Sequence, residues 1–84
     1  MAYEVVIKPS AQRDLDAYPS KEVQRIADRI SHLTIDPRPF GSQKLAGAHA
    51  YRIRSGNYRI LYEVDDKRKM VLIFRIKHRR EAYR

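Results

Sequence analysis

The fold is decided by residues 51–62, which read YRIRSGNYRILY. Two segments rich in isoleucine and tyrosine flank the connector Ser55-Gly56-Asn57, which resembles the turn of a β-hairpin. Because side chains alternate between the two faces of a strand, this stretch places its isoleucines and tyrosines on one face and its arginines on the other. It predicts a sheet with one buried face and one cationic face.

The flanking sequence predicts the other elements. β-rich composition predicts strands at residues 3–8, 50–54, 58–64 and 70–77. Apolar residues at helical spacing predict two helices, the first capped by Ser10 and ended by Pro19, the second capped by Ser20 and ended by Asp36-Pro37. Residues 36–49 read as a loop. The order β-αα-βββ predicts one α+β domain over residues 1–84, with an N-terminal strand, an antiparallel meander and a helical hairpin on one face.

Turn lengths also predict the strand registers. The first hairpin pairs Arg54 with Arg59, and a second hairpin that pairs Val64 with Met70 would bring Arg59 opposite Arg75. One face then collects Arg52, Arg54, Arg59, Arg75 and Lys77 around Leu61, Val71 and Ile73. The opposite face collects the predicted core, Tyr51, Ile53, Tyr58, Ile60, Tyr62, Val64, Met70, Leu72, Phe74 and Ile76.

Composition excludes several classes of protein. The 84 residues contain no cysteine, which excludes disulfide scaffolds and thiol nucleophiles, and three scattered histidines do not indicate a metal site. There is no apolar run long enough for a membrane span and no secretory signal, so we expect a cytoplasmic protein without a membrane partner or a cofactor.

The net charge indicates a polyanionic partner. The formal charge is +8, and all of the excess lies in residues 43–84, which carry twelve basic and four acidic side chains. An ordinary solvated sheet face explains one or two arginines. It explains less well five neighbouring cations with Glu63 as their main counter-charge, because like charges side by side repel one another, and a bound anion would relieve that repulsion.

The C-terminal segment, residues 78–84, adds candidates for chemistry. We expect His78 to lie next to the cationic face, among cations that favour its neutral form, so it is either a proton carrier near pH 7 or an exposed histidine without a role. Tyr83 either stacks on a base or packs the tail. RNA cleavage suits this inventory, because the attacking 2′-hydroxyl comes with the substrate and the protein only positions it, neutralises charge and moves protons.

Three segments together resemble the RelE/ParE superfamily of prokaryotic toxins. They are residues 44–47 (KLAG), residues 51–62 and residues 76–83 (IKHRREAY). The resemblance covers nearly the whole chain, and the β-αα-βββ order fits it as well. It is closer to the RelE branch, which cleaves mRNA in the ribosomal A site, than to the ParE branch, which poisons DNA gyrase.

The resemblance implies a set of site residues. The implied catalytic residues are Arg52, Arg54, Arg59, His78, Arg79 and Tyr83. The residues expected to contact RNA are Lys44, Arg75, Lys77 and Arg80. Arg52 and Arg54 stand where the best-known member has lysines, and an arginine cannot act as a general base. Proton transfer therefore falls to His78, to Tyr83 or to solvent.

Three functions follow as hypotheses. The first is a metal-independent, ribosome-dependent endoribonuclease acting on mRNA, which the resemblance pairs with a cognate antitoxin. The cationic face predicts that this antitoxin is acidic. The second is a ParE-like gyrase inhibitor that cleaves nothing, and the third is a non-catalytic nucleic-acid-binding module.

Overall fold

Five strands form one mixed sheet in the computed structural model, which describes residues 2–47 and 49–82, without the side chains of residues 81 and 82. The strands are β1 (Glu4–Ile7), β2 (Gln43–Lys44), β3 (Ala50–Ser55), β4 (Tyr58–Asp65) and β5 (Met70–His78). The spatial order is β1-β5-β4-β3-β2, with β1 parallel to β5 and the other pairs antiparallel. The predicted α+β architecture is confirmed, and β2 is a short strand inside the segment predicted as a loop.

The described residues also form three helices, α1 (Pro9–Asp16), α2 (Ser20–His32) and the short α3 (Arg79–Ala82). The predicted caps at Ser10 and Ser20 are wrong. Lys8 and Pro19 occupy the N-cap positions, and neither makes a side-chain cap. Proline suits the start of α1, because its missing N–H is one that a first turn leaves unpaired.

The core lies between the helices and one face of the sheet. The helices contribute Ala11 of α1, Ile26 and Ile30 of α2 and the C-cap residue Leu33, all nearly inaccessible to solvent. The sheet contributes its central strands, with Ile53, Tyr58, Ile60, Tyr62, Val64, Val71, Ile73 and Ile76. We call this the helix side of the sheet and the opposite face the outer face.

The predicted register of β3 with β4 is confirmed, and that of β4 with β5 is wrong. Arg54 faces Arg59, but Val64 faces Val71 and Arg59 faces Lys77. The turn between β4 and β5 pairs Asp65 with Met70, one position away from the prediction. This shift moves Val71 and Ile73 into the core and brings Met70 and Leu72 to the outer face.

A β-bulge restores the predicted alternation in the second half of β5. The partners step from Tyr62–Ile73 to Leu61–Arg75, so Phe74 is the extra residue on β5. After the bulge, Arg75 and Lys77 again share the face of Arg59. The predicted position of these two cations is therefore correct although the predicted pairing is not.

Side chains of α1 and of the turn that follows it bind the edge of β5 beyond the end of β1. β1 pairs with β5 only as far as Ile73. Past that point, Ser10 Oγ donates to the carbonyl oxygen of Phe74 and Tyr18 Oη to that of Ile76, both at 2.7 Å. Helix α1 thus takes the place that a longer β1 would occupy.

The segment between α2 and β2 is fastened over the other end of the sheet. Arg38 donates to Asp66 at 2.6 Å and to the hydroxyl of Tyr51 at 3.0 Å, and Tyr3 donates to Asp66 at 2.7 Å. Hydrogen bonds from Arg38 and Tyr3 lower the pKa of the Asp66 carboxyl. The Tyr62 hydroxyl donates to the carbonyl of Pro37 at 2.7 Å, and burial raises the pKa of Tyr62 to about 12.

Candidate anion-binding site

Three cations stand side by side on the outer face. Arg54 on β3 faces Arg59 on β4, and Arg59 faces Lys77 on β5. Directly opposed residues in antiparallel strands have Cβ atoms about 4.5–5.5 Å apart, so the three positive charges are close neighbours. Among the side chains of residues 2–47 and 49–80, none of the three forms a salt bridge with a carboxylate. We call these residues the cation rung.

Arg59 at the centre of the rung is buried, with 5% of its surface exposed. Its Nη1 donates to the carbonyl oxygen of Tyr58 at 3.2 Å. A guanidinium carries five N–H donors in a planar fork that matches the oxygens of a phosphate or carboxylate. A buried positive charge without a counter-ion is costly, and an anion bound at the rung would lower that cost.

Arg52 lies beside the rung, one residue pair along β3. It faces Leu61 on β4 and Gln43 on β2, and its guanidinium donates to the side-chain oxygen of Gln43. Arg52 thus shares the outer face with the rung, as the alternation predicted, and its neutral partner leaves its charge uncompensated.

Two of the predicted RNA-contacting residues lie away from the rung. Lys44 faces Tyr51, whose ring packs against the core residue Tyr62, so Lys44 lies on the helix side of the sheet. Arg75 begins on the outer face but reaches over the edge of β5 to Asp14 of α1, with Nε 2.9 Å from the carboxylate.

His78 is also turned away from the rung, so the expectation that it lies beside the cationic face is wrong. It faces Tyr58 on β4, and the two rings meet edge to face with centroids 5.2 Å apart. Its Nδ1 accepts a hydrogen bond from the backbone N–H of Arg80 at 3.2 Å. These contacts join the end of β5 to the first turn of α3.

The short helix α3 is attached to the hairpin that carries the rung. The backbone N–H of Arg79 donates to the carbonyl of Asn57 at 2.7 Å, and the side chains of Arg79 and Arg80 are exposed. The two cations therefore project into solvent from backbone held against the β3–β4 turn. Tyr83, the remaining predicted residue, lies outside the described residues.

Sequence reasoning missed two residues around the site. Tyr58 lies under the tail, where its ring contacts Tyr18 and His78, and burial, with Glu22 nearby, raises the pKa of its hydroxyl. Asp14 binds β5 from α1. Alternation along β4 did signal that Tyr58 is buried, but no local pattern identifies Asp14, because its partners are more than 60 residues away.

The described part of the chain offers no group of three or more histidine or acidic side chains placed to hold a metal ion. Among the same residues, no helix is long and apolar enough to cross a membrane.

Comparison with known proteins identifies the family. A model of the ParE toxin of the type II toxin–antitoxin system parDE matches residues 5–83. This chain belongs to the RelE/ParE superfamily of toxins. The toxin RelG of Mycobacterium tuberculosis is 33% identical over 88 aligned positions, which cover 100% of this chain and 99% of RelG.

Solved structures of RelE toxins share the fold of this RelE/ParE member. The archaeal RelE–RelB complex of Pyrococcus horikoshii matches with a TM-score of 0.84 and 32% identity, over 94% of this chain and 97% of that chain. The RelBE2 toxin–antitoxin complex of M. tuberculosis matches with a TM-score of 0.83 and 28% identity, over 93% and 99% of the two chains. The recognition made from the sequence motifs is thereby confirmed.

Proposed function

We propose that this toxin is a metal-independent endoribonuclease that cleaves mRNA in the ribosomal A site and so stops translation in the cytoplasm. The observation that carries the proposal is Arg59, a buried guanidinium in a row of three cations without a carboxylate partner among the described residues. The row matches the needs of a phosphodiester whose negative charge grows during reaction.

The reaction needs little covalent chemistry from the protein. The 2′-hydroxyl of one nucleotide attacks the adjacent phosphorus, the bond to the 5′-oxygen of the next nucleotide breaks, and a 2′,3′-cyclic phosphate and a 5′-hydroxyl result. One proton leaves the attacking hydroxyl and one is delivered to the departing oxygen. The rung, with Arg59 at its centre, holds the phosphate and stabilises the charge that develops on its oxygens.

The other predicted residues take supporting roles in this proposal. Arg52 extends the cationic surface along β3, and Arg79 and Arg80 extend it along α3 toward incoming RNA or ribosomal RNA. Proton transfer belongs to Tyr83 or to water, because arginine keeps its proton and His78 is directed to the helix side of the sheet. Lys44 and Arg75 contribute only long-range attraction.

The proposed partner is an antitoxin that holds the toxin inactive. The matching structures from P. horikoshii and M. tuberculosis are toxin–antitoxin complexes. For this chain we expect an acidic antitoxin segment that is disordered when alone, because it meets the cation rung, which forms no salt bridge with a carboxylate among the described side chains. Its association should slow as salt rises, since charge steering is screened beyond about 8–10 Å at physiological ionic strength.

The test is to add the purified toxin to translating ribosomes and to map the 5′ ends of the mRNA, with naked mRNA as the control. Cleavage within A-site codons, and its absence on naked mRNA, is the expected result. Intact mRNA under arrested translation, or cleavage without ribosomes, would contradict the proposal.

The ParE name of the matching family model favours one alternative, inhibition of DNA gyrase. The same preparation is therefore added to a gyrase supercoiling reaction. We expect full supercoiling. Loss of supercoiling together with intact mRNA would show that the chain has the ParE activity. If neither supercoiling nor mRNA is affected, the chain is a non-catalytic nucleic-acid-binding module.

A further inference from the structure

Asp14 makes the contacts that hold β5 just after its bulge. Its carboxylate accepts hydrogen bonds from Arg75 Nε at 2.9 Å, from Arg75 Nη2 at 3.3 Å and from the backbone N–H of Ile76 at 2.8 Å. The carboxylate side chain is 15% exposed. One acidic side chain of α1 therefore binds both the backbone and a cation of the strand that carries Lys77.

This position matters because the bulge decides which way the following side chains point. Phe74 inserts one residue, and only this insertion brings Lys77 opposite Arg59 on the outer face. β1 ends its pairing at Ile73, so the backbone of Ile76 has no strand beside it on that edge. Asp14 supplies the missing acceptor.

The ion pair with Asp14 also separates the two cations of β5. Arg75 is turned over the sheet edge toward α1, whereas Lys77, two residues further, stays in the rung with Arg59. The strand thus presents one cation to the helix and one to the outer face.

We propose that Asp14 is a positioning residue that fixes Lys77 in the cation rung by accepting the backbone N–H of Ile76 and holding Arg75 at the strand edge. The inference rests on the proposed function in one respect, that the rung binds RNA phosphates. Asp14 itself touches no substrate.

The test is a double-mutant cycle on RNA binding, with a 2′-O-methyl RNA hexamer as a probe that cannot be cleaved. The change Lys77→Ala is made in the parent chain and in the Asp14→Ala, Asp14→Asn and Asp16→Asn backgrounds. Asp16→Asn is the matched control, because Asp16 is an exposed acid on the same helix whose side chain binds Gln12. Circular dichroism and thermal unfolding verify that each variant is folded.

We expect Lys77→Ala to weaken binding about tenfold in the parent chain and in Asp16→Asn, as for the loss of one charge-assisted hydrogen bond. In Asp14→Ala the same change should weaken binding less than about twofold, because Lys77 no longer keeps its place. Asp14→Asn should restore most of the Lys77 effect, since an amide oxygen still accepts the Ile76 N–H.

If Asp14 has a purely structural role, its replacement will lower thermal stability, but Lys77→Ala will weaken RNA binding by the same factor in all four backgrounds. That result would overturn this inference and leave the proposed function standing. If Lys77→Ala has no effect in the parent chain, the inference falls together with the RNA-binding role of the rung. Should Asp14→Ala not fold, Asp14→Leu takes its place, because leucine is close to asparagine in size and cannot accept the Ile76 N–H. A Lys77 factor below about twofold in Asp14→Leu is then the expected result, and the parent factor in Asp14→Leu overturns the inference.

Discussion

The two ends of the β4–β5 pair handle positive charge in opposite ways. At the turn between the strands, Arg38 pairs with Asp66 at 2.6 Å, Arg68 lies 4.0 Å from Asp65, and Lys69 lies over the ring of Tyr3. At the other end stands the cation rung, for which the described residues provide no carboxylate. These three turn-end cations have partners within the protein, whereas the rung cations form no salt bridge with any carboxylate whose side chain the structure describes.

This difference separates stability from function. Paired charges at the turn end fasten the segment around Arg38 over Tyr62 and contribute to folding. Because the cations of the rung lie close together, we expect them to repel one another and to contribute little to the stability of the folded state. An anion bound at the rung would relieve that repulsion. Mutations at the two ends should therefore have opposite signatures.

The largest expected effect is at the centre of the rung. Arg59→Met should lower the rate of mRNA cleavage on ribosomes by about 10²-fold or more, as for the loss of one group that stabilises transition-state charge. Thermal stability should stay level or rise, because the change removes a buried charge without a counter-ion. Single-turnover cleavage and a melting curve measure the two quantities.

The matched control is Arg68→Met at the turn end, which removes the same charge from an exposed arginine. It should leave the cleavage rate unchanged. Equal losses in both variants would show that total charge, and not the rung, drives the reaction.

The sequence predicted the rung better than the strand pairing that builds it. The two-residue turn at Gly56, whose φ is 58°, fixes β3 against β4, so the face of Arg54 and Arg59 follows from alternation. The bulge at Phe74 is supported by Ser10 and Asp14 of α1, which are distant in the sequence. Such long-range contacts leave no local pattern.

The position of His78 was, by contrast, available from the sequence. Neighbouring residues of a strand point to opposite faces, so a Lys77 on the outer face requires a His78 on the helix side. The predicted strand ends at residue 77, whereas β5 extends through His78, so the alternation of the strand applies to His78 as well. No such local pattern predicted the ion pair between Arg38 and Asp66, because the two residues are 28 positions apart in the sequence.

The next effect concerns the turn end, where Tyr62→Phe should cost about 1–2 kcal/mol of unfolding free energy by leaving the Pro37 carbonyl without its donor. The pKa of Tyr62 is raised to about 12 in the folded protein, above its usual value of about 10. Its contribution is therefore present below pH 10 and is lost as pH rises from about 10 to 12.

Urea unfolding at a series of pH values measures this effect. The parent protein should lose stability over that alkaline interval, and Tyr62→Phe should lose less. The same alkaline slope in both proteins would contradict the role given to this hydroxyl.

A smaller effect is expected in acid from Asp66→Asn. The pKa of Asp66 is lowered in the folded protein by its hydrogen bonds with Arg38 and Tyr3, so its contribution is present above the unfolded value near pH 4 and is lost as pH falls through the folded pKa. Asp66→Asn should flatten the acid side of the stability profile and leave RNA cleavage unchanged. An unaltered acid profile would show that Asp66 does not stabilise the turn end.

The smallest expected effect on the reaction is that of His78→Gln. Because its ring lies against Tyr58 on the helix side, we expect the cleavage rate to fall by less than about threefold, compared with roughly 10²–10⁴-fold for loss of a general acid or base. The pH profile between about 5 and 8 should keep its shape. A flattened pH profile of the cleavage rate in His78→Gln would show that His78 does transfer protons.

The central claim is that the cation rung, and not the turn end, is the anion site. The most direct test of this claim is the salt dependence of RNA binding. A non-cleavable RNA hexamer is titrated at several salt concentrations against the parent chain, a rung variant (R54Q/R59M/K77Q) and a turn-end variant (R38Q/R68Q/K69Q), each of which removes the same charge. For single strands the slope of log K against log salt falls by about 0.7 for each phosphate that the protein no longer neutralises. We predict a slope smaller by about 2 in the rung variant and an unchanged slope in the turn-end variant. Equal reductions in both variants would contradict the claim.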